Sequence, residues 1–321
     1  MVVVTGGAGF IGSCFVKKLN DNGITDIIIV DKLGSDQKWK NLLGKQFSTI
    51  VPIEVFRDQI QKGVFGRTIT SIIHMGACST TTERNADYLY DNNVEYSKIL
   101  ATYAFENGCK FIYASSAATY GLGEDGYNDT FNANLKPLNM YGFSKHLFDC
   151  WIYANSMESK VIGLKYFNVF GPNEYHKDDM ASMAYKAFNQ IQSKGYVELF
   201  ASNTSEYPDG GQVRDFIYIK DVVDAMWELF QSTTVKGIYN LGTGVARSWN
   251  DLISSVFHAM NKKVDIRYIP MPEHLKYQYQ NYTQASMDLL RSKNIYTKPT
   301  TLEDAVTDYV QNYLMASWQY I

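Results

Sequence analysis

Val2-Val3-Val4-Thr5-Gly6-Gly7-Ala8-Gly9-Phe10-Ile11-Gly12 opens the chain after Met1. The run Val2–Thr5 is β-branched throughout and reads as a short strand, and Phe10–Asn20 reads as a helix. Between them Gly6, Gly9 and Gly12 are spaced G-x-x-G-x-x-G. One glycine makes the tight turn, one lets the backbone approach a pyrophosphate, and one allows close packing of helix on strand. The helix that follows points free N–H groups at the phosphates. A glycine triplet alone is only a turn. Here a strand precedes it, a helix follows, and an acid, Asp31, closes the next strand, so the segment reads as a dinucleotide cradle.

A carboxylate at that strand end takes the adenosine ribose hydroxyls, which suits NAD. Lys32 follows it directly, however, and Lys38 and Lys40 lie in the next turn. A 2′-phosphate needs cationic partners. The reading therefore favours NADP, with NAD the alternative and solvated surface lysines the bland account.

Further along, Asp26–Val30, Thr70–His74 and Phe111–Ser115 are short apolar runs, separated by helical lengths such as Asn85–Asn107. Strands apolar on both faces imply a parallel sheet covered on both sides. The expected fold is α/β: a doubly wound parallel sheet with a smaller, mainly C-terminal substrate-binding domain. Residues 1–167, with about 213–240 returning to them, form the expected cofactor domain. Residues 168–212 and 241–321 form the expected substrate domain, entered through the polar loops 171–177 and 201–212. No repeat or low-complexity linker interrupts the chain.

With 321 residues, 45% of them hydrophobic, a large core can form. A net charge of −3 gives no case for nucleic acid or an anionic membrane as partner. Cys14, Cys78, Cys109 and Cys150 form no C-x-x-C pair, so reduced thiols and a cytoplasmic location are expected, and no metal. No apolar run is long enough to span a bilayer, and the N-terminus shows no signal peptide.

The strand Phe111–Ser115 delivers Ser115 and Ser116 to the carboxyl edge of the sheet, where ligands bind in open α/β folds. Tyr141-Gly142-Phe143-Ser144-Lys145 follows. On a helix Tyr141 and Lys145 share a face. A lysine beside a phenol is expected to lower the phenol's pKa from its usual value of about 10. Ser116 can hydrogen-bond a substrate oxygen. The trio can then take a proton from a hydroxyl while a nicotinamide takes hydride from its carbon.

T-G-G-A-G-F-I-G, Y-A-S-S-A-A-T-Y-G, Y-G-F-S-K, Y-F-N-V-F-G-P, R-D-F-I-Y and N-L-G-T-G occur in that order along nearly the whole chain. Together they resemble the extended short-chain dehydrogenase/reductases of the NAD-dependent epimerase/dehydratase type. Gly76–Glu83, Asp91-Asn92-Asn93, Phe167–Pro172 with His176-Lys177, Pro270-Met271-Pro272 and Tyr282-Thr283-Gln284 resemble the branch that inverts C6 of an ADP-heptose. Met75 departs from that pattern, which has an acid there.

The resemblance implies a Rossmann sheet, an ADP-heptose substrate destined for lipopolysaccharide inner-core assembly, and a homo-oligomer, a pentamer in the family. It implies that Tyr141 and Lys177 are the acid/base pair and that Lys145 orients the cofactor. Gly6, Gly9, Phe10, Ile11, Gly12, Asp31, Lys32, Lys38, Met75, Gly76, Ala77, Cys78, Ser79, Asn92, Val169 and Lys177 would line the cofactor with it. Ser116, Asn168, Asp179, Lys186, Phe200, Ala201, Ser202, Asn203, Arg214 and Tyr279 would line the sugar nucleotide. A second base also has a physical reason. Hydride leaves one face of C6 and returns to the other, so the intermediate ketone must turn and its oxygen must point elsewhere. By residue type alone, Lys177 reads first as a solvated loop lysine, and only the resemblance reverses that order; Arg214 reads also as a structural partner of Asp215.

A 4,6-dehydratase wants an acid–base pair beside Ser116, which Ala117-Ala118-Thr119 does not supply. A UDP-sugar 4-epimerase is the alternative within the superfamily. A non-catalytic dinucleotide sensor is the alternative outside it, and such a protein has no need of both Tyr141 and Lys145.

Overall fold

The computed structural model describes residues 1–276 and 279–321. Seven strands form one wholly parallel sheet: β1 (Val2–Thr5), β2 (Ile27–Val30), β3 (Thr49–Val51), β4 (Ser71–His74), β5 (Lys110–Ser116), β6 (Val161–Tyr166) and Gly237–Leu241. The order across the sheet is Gly237–Leu241, β6, β5, β4, β1, β2, β3. The chain reverses its direction of winding between β1 and β4, and the carboxyl edge opens there into the crevice expected of such sheets.

The apolar strand runs are explained by two cores. Val2, Val4, Ile27, Ile29, Ile73 and Ile112 belong to one cluster with Phe15 and Leu19 of α1 (Phe10–Asp21). Val3, Ile28, Ile72, Phe111 and Tyr113 belong to the other, with Leu100 and Ala104 of the helix Tyr96–Asn107. Alternate residues of each strand thus face opposite layers, and both layers exclude water.

The segment expected to return to the cofactor half divides. Gly237–Leu241 pairs with β6 in the main sheet. Val213–Tyr218 lies in a separate three-stranded sheet between Ala246–Ser248 and Asn168–Phe170. A third, two-stranded sheet pairs Val197–Phe200 with Ile266–Ile269. The loop 201–212 carries no regular element. β3 has only three residues, none of them buried, and offers no alternation to read.

Behind the carboxyl edge is a buried ion pair. Lys165 on β6 meets Asp149 at 2.8 Å, on the helix Met140–Ala154. The same carboxylate accepts from Tyr113 (2.8 Å) and Ser115 (2.7 Å) on β5, and Lys165 also donates to Thr119. This ties the strand ending in Ser116 to the helix carrying Tyr141. Asp149→Asn leaves the Lys165 ammonium buried and uncompensated, so it should lower unfolding free energy by about 3 kcal/mol in urea titrations. An unchanged midpoint would contradict that account of the pair.

Candidate active site

The glycine turn is set by contact. Gly6 has φ +65°, and a Cβ there would lie 2.6 Å from the backbone nitrogen of Gly76. A Cβ on Gly12 would lie 2.2 Å from the carbonyl oxygen of Gly6. Gly9 caps α1 with no side-chain cap, so the first N–H groups of the helix remain available to an anion. These residues, with Phe10 and Ile11, form one wall of a cleft of about 960 Å³. The uncapped helix and the close-packed glycines fit a dinucleotide pyrophosphate.

At one end of the cleft Asp31 accepts from the backbone N–H groups of Ala8 (2.9 Å) and Lys32 (2.7 Å). Lys38 pairs with it at 2.8 Å. Lys32 and Lys38 both line the cleft, as does His176, a residue singled out only by resemblance. Asn41, which sequence reasoning missed, donates at 3.0 Å to Ala8 of the glycine turn and at 3.0 Å to Asn173 of the loop carrying Lys177. Its signal is a tertiary hydrogen bond, invisible to any local pattern.

The loop Met75–Ser79 lines the cleft in full. Met75 sits where an acid was expected, and its sulfur receives the Tyr166 hydroxyl at 3.3 Å. The stretch read as one helix, Asn85–Asn107, contains a π turn at Tyr90–Glu95. Asn92 on this turn lines the cleft. Its neighbour Asn93 accepts from the Cys78 N–H (2.9 Å) and donates to the Cys78 carbonyl and the Ser144 hydroxyl, both at 3.0 Å. His74 bridges Thr5 (2.6 Å) and Ser97 (2.8 Å), and burial holds its pKa down at about 3, so the ring is neutral.

Ser116, Tyr141 and Lys145 meet in the cleft. The helix that carries the last two starts at an Asn139 cap, which accepts from Gly142 at 2.8 Å. The expectation of a depressed phenol pKa does not hold for this arrangement. Burial raises Tyr141, and the hydrogen bond with Ser116 only partly opposes it. Lys145 donates to the Ala114 carbonyl at 2.7 Å, and burial lowers its own pKa to about 8, against the pull of Asp149. Shared helical face did not fix where the ammonium points.

Lys177 also lines this cleft, from a 3-10 turn at Tyr175–Met180, with its ammonium 5.4 Å from the centre of the Phe10 ring. Burial lowers its pKa and Glu174 opposes the shift. It is not a solvated loop lysine. Asn168 and Val169 line the cleft beside it, and Met180, Trp249 and Leu252 extend the wall beyond the predicted residues.

The other predicted substrate residues lie outside that cleft lining. Lys186 donates to the Asp179 carbonyl at 2.7 Å. Phe200 ends its strand, and Ala201, Ser202 and Asn203 follow, bonded to Ile269, Asp209 and Lys276 respectively. Arg214 is buried between Trp249 and Tyr279, 5.4 and 5.1 Å from their ring centres. It does not pair with Asp215. That carboxylate is taken by the N–H groups of Thr243, Gly244 and Ala285 and the Thr243 hydroxyl. Arg214 donates to the Val213 carbonyl, and no ion pair to it occurs among the described residues. A buried guanidinium flanked by rings, with donors to spare, suits a diphosphate.

Residues 2–242 match the model of the NAD dependent epimerase/dehydratase family. Over 319 residues the chain is 50% identical to the ADP-L-glycero-D-manno-heptose-6-epimerase of Nitratidesulfovibrio vulgaris (strain DP4), covering 99% of each. The crystal structure of the Helicobacter pylori ADP-L-glycero-D-manno-heptose-6-epimerase matches with TM-score 0.83 and 28% identity, over 97% of this chain and 95% of that one. The Thermus thermophilus UDP-glucose 4-epimerase, solved in complex with NAD, matches with TM-score 0.78 over 98% and 99% of the two chains. At 24% identity that likeness is one of fold.

Gly12→Ala tests the cradle. The methyl must displace the Gly6 carbonyl, an overpacking cost to stability of about 1–3 kcal/mol, and the displaced turn should hold a dinucleotide less tightly. Unchanged affinity by calorimetry would show that the turn does not approach the cofactor.

Proposed function

The chain belongs to the NAD dependent epimerase/dehydratase family, and from that premise we propose that it interconverts ADP-D-glycero-D-manno-heptose and ADP-L-glycero-D-manno-heptose by inversion at C6. The observation that carries the mechanism is that one cleft is lined by two separate ionisable groups, Tyr141 from a helix and Lys177 from a loop. The likeness to the heptose epimerases, at 50% identity over nearly the full length, supports the substrate.

A nicotinamide held in this cleft would supply hydride acceptance from C6 and hydride donation to its opposite face. Ser116 holds the C6 oxygen by hydrogen bond. For one epimer Tyr141 takes the hydroxyl proton, its ionisation favoured by Ser116 and opposed by burial. Lys145 positions the cofactor next to it. The ketone then turns, and its oxygen meets Lys177, which supplies the proton as hydride returns. Burial eases that proton off the lysine, as a group that must also accept one requires. Arg214 holds the diphosphate, with Tyr279 and the residues Phe200–Asn203 along the nucleotide. Removing either base leaves one configuration without a proton acceptor.

Tyr141→Phe and Lys177→Met should each lower epimerisation by about a hundredfold to ten-thousandfold. The double variant should lose little more, because either change breaks the round trip. In single-turnover reduction of bound cofactor, each variant should fail with a different epimer. Near wild-type turnover by Lys177→Met would leave Tyr141 as the only base.

We also propose NADP as the cofactor. Lys38 neutralises Asp31 and lies with Lys32 in the cleft, so a 2′-phosphate meets cations rather than a bare carboxylate. Lys32→Ala/Lys38→Ala should weaken NADP by more than about tenfold while NAD changes less, since charge-assisted bonds are the stronger ones. Equal weakening of both in calorimetry would remove the 2′-phosphate assignment.

A further inference from the structure

Glu174 is a buried carboxylate that no step above uses. It has no exposed surface, and no lysine or arginine pairs with it among the described residues. The four donors to its carboxylate, two backbone and two side-chain, are all neutral. Gly171 N–H donates at 3.1 Å, Ser182 N–H at 2.6 Å, the Ser182 hydroxyl at 2.8 Å and the Tyr309 hydroxyl at 3.0 Å. Burying a carboxylate is costly even when hydrogen-bonded, so its place in the fold matters.

Gly171 begins the loop 171–182 and Ser182 ends it, as the cap of the helix Met183–Lys194. One carboxylate therefore closes both ends of the loop, and Lys177 sits midway. The Glu174 carbonyl also accepts from the Lys177 N–H at 3.0 Å. Inside the loop Asn173 (φ +76°) and Asp178 (φ +44°) hold left-handed backbone, unfavourable for residues other than glycine. Such conformations persist only where the surroundings over-determine them. Asn173 has an anchor of its own in the Ser13 hydroxyl at 2.9 Å. Asp178, immediately after Lys177, has no matching side-chain anchor among the described residues, which leaves the closed loop to hold it. Tyr309 comes from the helix Leu302–Tyr309 and fixes the loop against the C-terminal part of the fold.

We propose that Glu174 is the positioning residue for Lys177, closing the 171–182 loop so that this lysine, and not Tyr141, meets its epimer of the substrate at the cleft wall. The inference rests on the reading of Lys177 as the second base. A glutamine has the same shape but turns an N–H2 group toward one set of donors, so Glu174→Gln opens one end of the loop. Tyr309→Phe removes one donor and leaves the carboxylate in place.

The test is single-turnover reduction of bound cofactor in the holoenzyme, with each ADP-heptose epimer separately. Glu174→Gln should slow the epimer that Lys177→Met blocks by about a hundredfold, the effect of a base displaced by about 1 Å, and the other epimer by less than about threefold. Tyr309→Phe should slow the same epimer by about tenfold, and it carries the test if Glu174→Gln does not fold. A purely structural role would slow both epimers alike, and that result, or no effect on either, overturns the proposal. If Lys177→Met is epimer-selective and the Glu174 and Tyr309 variants are not, this inference alone fails. If Lys177→Met spares both epimers, the base assignment fails and takes this inference with it.

Discussion

No side chain fits between Gly6 and Gly76. The backbones after β1 and β4 meet there, at the place where the sheet changes its direction of winding. That contact sets the floor of the cleft, and each neighbouring element is referenced to it. Thr5 receives the Gly76 N–H at 3.1 Å and joins His74, which joins Ser97 on the helix after the π turn. From the same turn Asn93 grips Cys78 and Ser144. The glycine turn, the loop Met75–Ser79 and the helix bearing Tyr141 and Lys145 are thus joined by buried, neutral hydrogen bonds. Charge is kept out of this joint, because a histidinium there would be buried without a carboxylate.

Charge is instead placed on the two sides of the cleft. Asp149 and Lys165 brace the strand and helix that hold Ser116 and Tyr141. Glu174 closes the loop that holds Lys177. Lys145 and Lys177 both feel burial, which makes their protons easier to release, and each has a carboxylate that favours the charged form. Opposed influences of this kind leave a lysine able to change protonation state during a cycle, as epimerisation demands.

The parts of this arrangement that were legible in the sequence are local. Val2–Gly12 carries strand, turn and helix start within a few residues, and Asp31 stands at the end of the next strand. Tyr141 and Lys145 reveal themselves by helical spacing. Lys177 was singled out by likeness to a family, since its residue type says nothing of its burial. What stayed hidden depends on contacts across the chain. Arg214 finds its flanking rings at Trp249 and Tyr279, Asn41 finds Ala8 and Asn173, and Glu174 finds Tyr309. The π turn was hidden because one inserted residue barely disturbs apolar periodicity. Spacing also misled on Tyr141: it placed Lys145 on the same helical face but did not show that its ammonium bonds the Ala114 carbonyl.

Hydride that leaves C6 and comes back within one site stays with the substrate carbon. ADP-D-glycero-D-manno-heptose carrying deuterium at C6, incubated with the holoenzyme in ordinary water and followed by nuclear magnetic resonance, tests it most directly. Hydride return within the site gives a mixture of both C6 epimers, deuterium retained at C6, and no accumulation of reduced nicotinamide. Loss of the label to solvent, reduced cofactor formed in step with product, or no inversion at C6 would contradict it.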